Sequence, residues 1–182
     1  DGRLLAVYDI VLNEDGTLNS YRMISADEEA EGAKWYAYAE TISPSAWFNG
    51  ERYLDTLNPE AVQKFVDVTH ERYRALLEEE FGKTIPAIFT DEPQFTTKNT
   101  LRFADEQADI FAPWTDAIPE KFKTYCGLDF FEGFPEVFWE LPDGKVSKFR
   151  YLYHDFLSEL FAASFCDTVG DWCSEHGLML GG

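Results

Sequence analysis

The feature that most constrains this chain is a short apolar run that stops at two adjacent carboxylates and a proline. The run is Ile85–Thr90, and Asp91, Glu92 and Pro93 follow it directly. An apolar run of this length, placed after the helix-ending glycine Gly82, predicts a buried β-strand. Proline has no N–H to donate, so Pro93 ends strand pairing there. In parallel α/β folds the carboxyl ends of the strands open onto the ligand crevice, so we expect Asp91 and Glu92 at such a rim.

The two carboxylates have two interpretations. In the functional one, a carboxylate at such a rim, partly screened from water, is a general acid or base. In the structural one, Asp91 caps the next turn and Glu92 is solvated. The residues alone leave both interpretations open.

Composition excludes some classes of partner. The chain has 182 residues, 45% of them hydrophobic and 16% aromatic, which is enough to bury one sizeable core. It carries 15 Lys and Arg against 34 Asp and Glu, a net charge of −19. This argues against nucleic acid and anionic membranes as partners, because both need a basic face. No apolar run approaches the length of a membrane span.

Metal and cofactor motifs are not evident in the sequence. The cysteines Cys126, Cys166 and Cys173 lack the spacing of a zinc site and are expected to be reduced thiols, and the three histidines are scattered. There is no glycine-rich phosphate loop or dinucleotide fingerprint. We therefore predict no metal site and no cofactor, although so acidic a chain leaves carboxylate-bound Ca²⁺ conceivable.

Strand and helix patterns alternate along the first half of the chain. Leu4–Leu12 and Thr17–Ser25 flank a glycine-containing turn and predict a β-hairpin. Lys34–Ile42 predicts a strand, and Asn58–Glu80 predicts a helix with an asparagine N-cap followed by proline. Because a right-handed crossover places successive strands in parallel, Lys34–Ile42 should lie beside Ile85–Thr90.

The second half predicts a long loop and more helices before a last strand. The loop is Gln94–Ala117, the helices are Pro119–Gly127 and Val146–Glu175, and the strand begins at Leu178. We interpret residues 1–182 as a single α/β region, a partial (β/α)8 TIM-barrel-like fold with an N-terminal β-hairpin. A complete barrel usually needs about 250 residues, so we expect a fragment of a larger barrel.

Three segments resemble the barrel domain of large bacterial glycoside hydrolases, in particular the α-L-rhamnosidase-like group. They are Tyr53–Val62, Thr69–Tyr73 and Phe81–Pro93, with further likeness in the hairpin and in Trp172, His176 and Gly177. The resemblance implies hydrolysis of O-glycosidic bonds, with rhamnoside-type glycans as candidate substrates and Glu92 as general acid/base. It also implies that the second catalytic carboxylate comes from the remainder of the parent polypeptide. It leaves the location open among the bacterial cytoplasm, the periplasm and the exterior.

Glycoside hydrolysis uses two carboxyl groups, one that protonates the leaving oxygen and one that acts as nucleophile or base. We assign the catalytic role to Glu92 and, second, to Asp91. Flat aromatic rings suit the apolar faces of sugars, and polar groups bind their hydroxyls. The candidate substrate-binding residues are Glu40, Trp47, Asp55, Phe95 and Trp114. Each also has a structural explanation, as a loop anchor or a strand-end charge.

Two other functions stay open on the residues alone. One is a non-catalytic carbohydrate-binding or interaction domain, in which the acidic rim binds sugar hydroxyls without turnover. The other is a metal-dependent α/β hydrolase in which Asp91 and Glu92 hold the metal. Whether the chain is an enzyme by itself is therefore undecided at this stage.

Overall fold

The computed structural model describes residues 2–182, which divide into two compact units. Unit 1 contains the residues up to Ser43 together with Thr96–Phe156, and unit 2 contains Pro44–Phe95 and Leu157–Gly182. No helix among residues 2–182 is long and apolar enough to cross a membrane.

Unit 1 is built on a three-stranded antiparallel sheet. Its central strand is β1 (Arg3–Leu12), flanked by β2 (Leu18–Met23) and β3 (Ala33–Ala39). The predicted hairpin is confirmed: β1 and β2 pair across a turn in which Gly16 adopts φ 82°, a conformation that glycine takes without a Cβ penalty. Local turn chemistry was sufficient to predict this element.

A buried carboxylate ties the loop after β2 to the sheet. Asp9 in β1 is buried and accepts N–H bonds from Glu31 at 3.0 Å and Gly32 at 2.9 Å. Arg22 lies 3.3 Å from the same carboxylate. The two backbone donors, assisted by Arg22, hold the pKa of Asp9 below its usual range.

Short helices pack aromatic side chains into the core of unit 1. They are α3 (Ile118–Cys126), α4 (Phe130–Gly133), a 3₁₀ turn at Phe134–Val137, and the first part of α5 (Lys148–Phe161). Phe122 is fully buried, and its ring centroid lies 5.1 Å from that of Phe149 and 5.4 Å from that of Phe156. Edge-on and tilted aromatic contacts of this kind hold the helices together.

Unit 2 packs helices around a two-stranded parallel sheet. The helices are α1 (Pro59–Val68), α2 (His70–Leu77) and α6 (Thr168–Glu175), and the strands are β4 (Ala87–Phe89) and β5 (Met179–Gly181). The core is formed by Val62 and Val66 of α1, Val169 and Trp172 of α6, and Phe165 before α6. β4 and β5 pair in parallel in register Ile88 to Leu180.

The two long predicted helices are both interrupted. The helix expected over Asn58–Glu80 begins as predicted, with the Asn58 side chain accepting the N–H groups of Glu60 and Ala61. It breaks at Thr69, whose hydroxyl bonds to the Phe65 carbonyl. The helix expected over Val146–Glu175 starts at Lys148 and contains a π-helical segment at Ala162–Asp167.

The predicted partial (β/α)8 barrel is wrong. β3 lies in the antiparallel sheet β2-β1-β3, whereas β4 pairs only with β5 in a separate sheet, and no barrel closes among residues 2–182. The expected parallel pairing of Lys34–Ile42 with Ile85–Thr90 is therefore wrong as well. β3 instead pairs with β1, which brings Trp35 opposite Tyr8 and against Trp139 in the core. An alternating strand pattern specifies a half-buried strand without specifying its partner.

Candidate functional site

The segment after β4 carries the two candidate catalytic residues. The Thr90 N–H donates to the Gly181 carbonyl at 2.8 Å, so the β4–β5 pairing continues to Thr90, directly before Asp91. Glu92 then adopts φ 46°, in the left-handed region. A residue with a Cβ is disfavoured there by roughly 1–2 kcal/mol. The backbone therefore turns at the position that the sequence indicated, in a strained conformation.

This conformation is unusual for the residue type. Among residues 2–182, the other positions of positive φ are six glycines, Asn49 and Asp143. Asparagine and aspartate occur in this region several-fold more often than other residues that carry a Cβ. Among the described residues, Glu92 is thus the one in the left-handed region whose residue type is not enriched there. Strained residues of this kind cluster at functional sites, where the surroundings hold them in place.

The surroundings of Glu92 do hold it in place. Both backbone groups of Gln94 are bonded: its N–H donates to the Tyr53 hydroxyl at 3.3 Å, and its carbonyl accepts the Thr56 hydroxyl at 2.8 Å. The next side chain, Phe95, packs edge-on against Phe161 with ring centroids 5.5 Å apart. Glu92 therefore lies between two anchored positions, Thr90 on one side and Gln94 on the other.

The side chains of Asp91 and Glu92 are both exposed. The partial screening from water that the sequence hypothesis expected is not present at Glu92 in this structure. Phe95 is half-buried by its contact with Phe161, which is the loop-anchoring role that was its structural alternative. A ligand at this loop would meet two accessible carboxylates.

Trp47 is presented by a loop of the same unit that hydrogen bonds close. Ser45 and Glu51 close the loop through a 3.0 Å backbone bond, and the Ser45 hydroxyl accepts the Trp47 N–H at 3.2 Å. The indole itself is 88% exposed, so the loop does not use it for packing. The adjacent Phe48 ring packs on the Tyr53 ring, with centroids 4.9 Å apart. Because the Tyr53 hydroxyl also accepts the Gln94 N–H, it joins the Trp47 loop to the Glu92 loop.

Asp55 has a structural role in the same unit. Its carboxylate accepts the N–H of Leu57 at 3.2 Å, and its carbonyl accepts the N–H of Asn58 at 3.2 Å. These bonds form the turn that leads into α1, and aspartate favours such turns. Its side chain remains exposed.

Glu40 and Trp114 belong to unit 1, whereas the other candidate residues belong to unit 2. Glu40 is exposed directly after β3. Trp114 lines a cavity of about 120 Å³ together with aromatic residues that include Tyr36, Tyr38 and Phe131. Its indole N–H donates to Asp116 at 3.1 Å. The cavity thus presents mainly aromatic faces.

Sequence reasoning missed the residues that support Glu92. Tyr53 lies in Tyr53–Val62, one of the segments that resemble glycoside hydrolases, but nothing in the sequence indicated its hydrogen bond to Gln94. Thr56 is 1% exposed, and no motif marked it. The cavity residues Tyr36 and Tyr38 did have a signal, the aromatic alternation within Lys34–Ile42.

The predicted lack of a metal site and cofactor stays a prediction. In the part of the chain that the structure describes, no group of three or more His, Cys, Asp or Glu side chains is arranged to hold a metal ion. Comparisons with protein-family models, with curated proteins and with solved structures found no match to the chain. The resemblance to glycoside hydrolases therefore rests on the quoted motifs and enters below as a proposal.

Proposed function

We propose that this chain is part of a glycoside hydrolase in which Glu92 is the general acid/base. The observation that carries the proposal is the conformation of Glu92, an exposed glutamate held at φ 46° at the end of a parallel strand. The side chain of Glu92 is exposed, so burial of that side chain does not account for the strain. Strained backbone that its surroundings hold in place is a property of sites where a side chain has to be aimed.

The chemistry requires a carboxyl group that can reach the glycosidic oxygen. As general acid, Glu92 donates its proton to the leaving oxygen, and a second carboxylate attacks the sugar or activates water. A bound sugar that covers Glu92 removes the carboxyl group from water, which favours its protonated form before the transfer. Asp91 and carboxylates in the remainder of the parent polypeptide are the candidates for the second role.

Trp47 provides a surface for the sugar. Its indole is almost fully accessible, and the contacts of Phe48 and Tyr53 connect its loop to the Glu92 loop. Rhamnosides, which are 6-deoxy sugars, combine an apolar methyl group and C–H face with polar edges. An exposed indole beside accessible carboxylates suits that combination. Asp55 and Phe95 lie in the same unit and have a secondary role in binding, whereas Glu40 and Trp114 belong to the other unit.

The test is hydrolysis, by the full-length parent protein, of a panel of glycosides that includes alkyl and 4-nitrophenyl α-L-rhamnopyranosides. Replacing Glu92 by Gln keeps the shape and removes the proton, so kcat on alkyl glycosides should fall by roughly 10²–10⁴-fold. The loss should be smaller on 2,4-dinitrophenyl glycosides, whose leaving group needs no proton. Glu14→Gln, an exposed change in the unit 1 hairpin, is the control and should leave the rate unchanged. Wild-type activity of Glu92→Gln on alkyl glycosides would contradict the proposal.

The second candidate function is carbohydrate binding without turnover, and the cavity of unit 1 favours it. Two of the cavity residues already use their polar groups in hydrogen bonds within the protein. The Trp139 indole N–H donates to the Ala104 carbonyl at 2.9 Å, and the Tyr8 hydroxyl donates to the Phe131 carbonyl at 2.8 Å. The aromatic faces of Trp114 and Tyr36 are left for a ligand. Calorimetric titration with oligosaccharides should then show binding that Trp114→Ala abolishes and Glu92→Gln does not change.

A further inference from the structure

We propose that Thr56 is a positioning residue that holds Glu92 in its active conformation through the backbone of Gln94. This inference rests on the proposed function of Glu92 and extends it to a residue that no sequence motif indicated. Thr56 does not approach the substrate in this proposal. It acts through the loop.

The geometry gives Thr56 this role because its hydroxyl is buried and directed at the loop. The Thr56 side chain is 1% exposed, and its hydroxyl donates to the Gln94 carbonyl at 2.8 Å. The bond is partly buried at its Thr56 end, and without it the Gln94 carbonyl loses its donor from the protein. The bond therefore fixes Gln94 more firmly than a solvent-exposed contact would.

Only Pro93 separates Gln94 from Glu92 along the chain, so the fixed carbonyl limits the dihedral angles available to Glu92. The other side of the loop is fixed where Thr90 pairs with Gly181. Without the Thr56 bond, Glu92 is free to relax from φ 46° toward negative φ, which is the lower-energy region for a residue with a Cβ. Such relaxation redirects the carboxyl group. Misplacement of a catalytic group by about 1 Å costs up to roughly 10²-fold in rate.

The test compares Thr56→Val with Thr56→Ser and with Thr69→Val. Valine keeps the shape of threonine and removes the hydroxyl, whereas serine keeps the hydroxyl. Thr69→Val makes the same chemical change in the same unit, where the hydroxyl donates to the Phe65 carbonyl in α1 and not to the Glu92 loop. Tyr53→Phe, which removes the acceptor of the Gln94 N–H, replaces Thr56→Val if that variant does not fold.

Two measurements are made on each variant. Hydrogen exchange of the Gln94 and Phe95 amides reports on the loop without any substrate, and kinetics on 4-nitrophenyl α-L-rhamnopyranoside and the other glycosides of the panel give kcat and KM. Thr56→Val should speed exchange at Gln94 and lower kcat by about 10–100-fold with KM changed by less than about threefold. Thr56→Ser should restore both, and Thr69→Val should change neither.

The two measurements separate failure of this inference from failure of the proposed function. If Glu92→Gln is inactive on alkyl glycosides but Thr56→Val retains wild-type kcat, the positioning role is wrong and the function stands. Unchanged exchange at Gln94 in Thr56→Val also overturns the positioning role, whatever the kinetics. If Glu92→Gln retains full activity, the proposed function is wrong, and the positioning role of Thr56 falls with it.

Discussion

The left-handed conformation of Glu92 predicts an inverted response to glycine. At an ordinary helical position, glycine is less stable than alanine by about 1 kcal/mol, because the unfolded chain gains conformational freedom. At φ 46° alanine carries the left-handed penalty of roughly 1–2 kcal/mol, and glycine does not. The penalty matches or exceeds the entropic cost of glycine, so Glu92→Gly should be more stable than Glu92→Ala by up to about 1 kcal/mol. The two variants both lack the carboxylate, so the comparison isolates the backbone.

The same two substitutions at Lys64 serve as the control, and there the stability difference between glycine and alanine should have the opposite sign. Lys64 is exposed in the interior of α1, and Lys64→Gly should be less stable than Lys64→Ala by about 1 kcal/mol. The measurement is urea unfolding of the four variants at pH 7.5, followed by far-ultraviolet circular dichroism with the slope of each transition compared. If glycine destabilises position 92 as much as position 64, Glu92 does not hold the left-handed conformation in solution, and the strain argument for its function is refuted.

Two further predictions concern packing and pH. Gly133→Ala would bring a Cβ to 2.2 Å from the buried Phe149 ring, so it should destabilise unit 1 by about 1–3 kcal/mol, as measured by urea unfolding. Gly144→Ala is the control, because this exposed glycine has positive φ but no atom within 4 Å of the added Cβ. Burial lowers the pKa of His70, so the unfolded chain binds a proton that the folded chain does not. The contribution of neutral His70 to the free energy of unfolding should therefore be complete above about pH 6.5 and be lost as the pH falls below it. In thermal melts from pH 7.5 to 5, the melting temperature of His70→Gln should depend less on pH than that of the wild type. An unchanged pH dependence in that variant would show that His70 is not responsible.

Local signals in the sequence predicted local structure well. The turn at Asp15 and Gly16 predicted the hairpin, Asn58 before Pro59 predicted the start of α1, and Gly127 ends α3 in the left-handed conformation. Each of these features depends on interactions within a few residues. Such interactions are encoded in the short segment that forms them.

Long-range pairing was not predictable in the same way. Lys34–Ile42 was recognised as a strand, but its partner is β1 in an antiparallel sheet and not the strand Ile85–Thr90. The alternation of aromatic and small residues fits either arrangement, because it records only that one face is more buried. The π-helical segment at Ala162–Asp167 was also missed, since its side chains continue the helical spacing without a break in composition.

For the candidate site, the sequence indicated the position and not the conformation. The abrupt end of the apolar run placed Asp91 and Glu92 after β4, and the structure has them there. The φ of Glu92 and the bonds from Tyr53 and Thr56 to Gln94 depend on segments about 40 residues apart. No single-sequence pattern reports contacts at that separation.

The conformation of Glu92 connects stability with the proposed chemistry. If a turn were all that this position had to provide, glycine or asparagine would form it at lower free energy, as glycine does at Gly82 and Gly177 in the same unit. Glutamate is disfavoured there, yet the hydrogen bonds at Gln94 keep it in place. The Glu92→Gly variant should therefore be more stable than Glu92→Ala, although both variants lack the carboxyl group that supplies the proton for the reaction. The stability comparison therefore tests the strain, and the loss of turnover in Glu92→Gln tests the function; both results together are expected of a strained functional position.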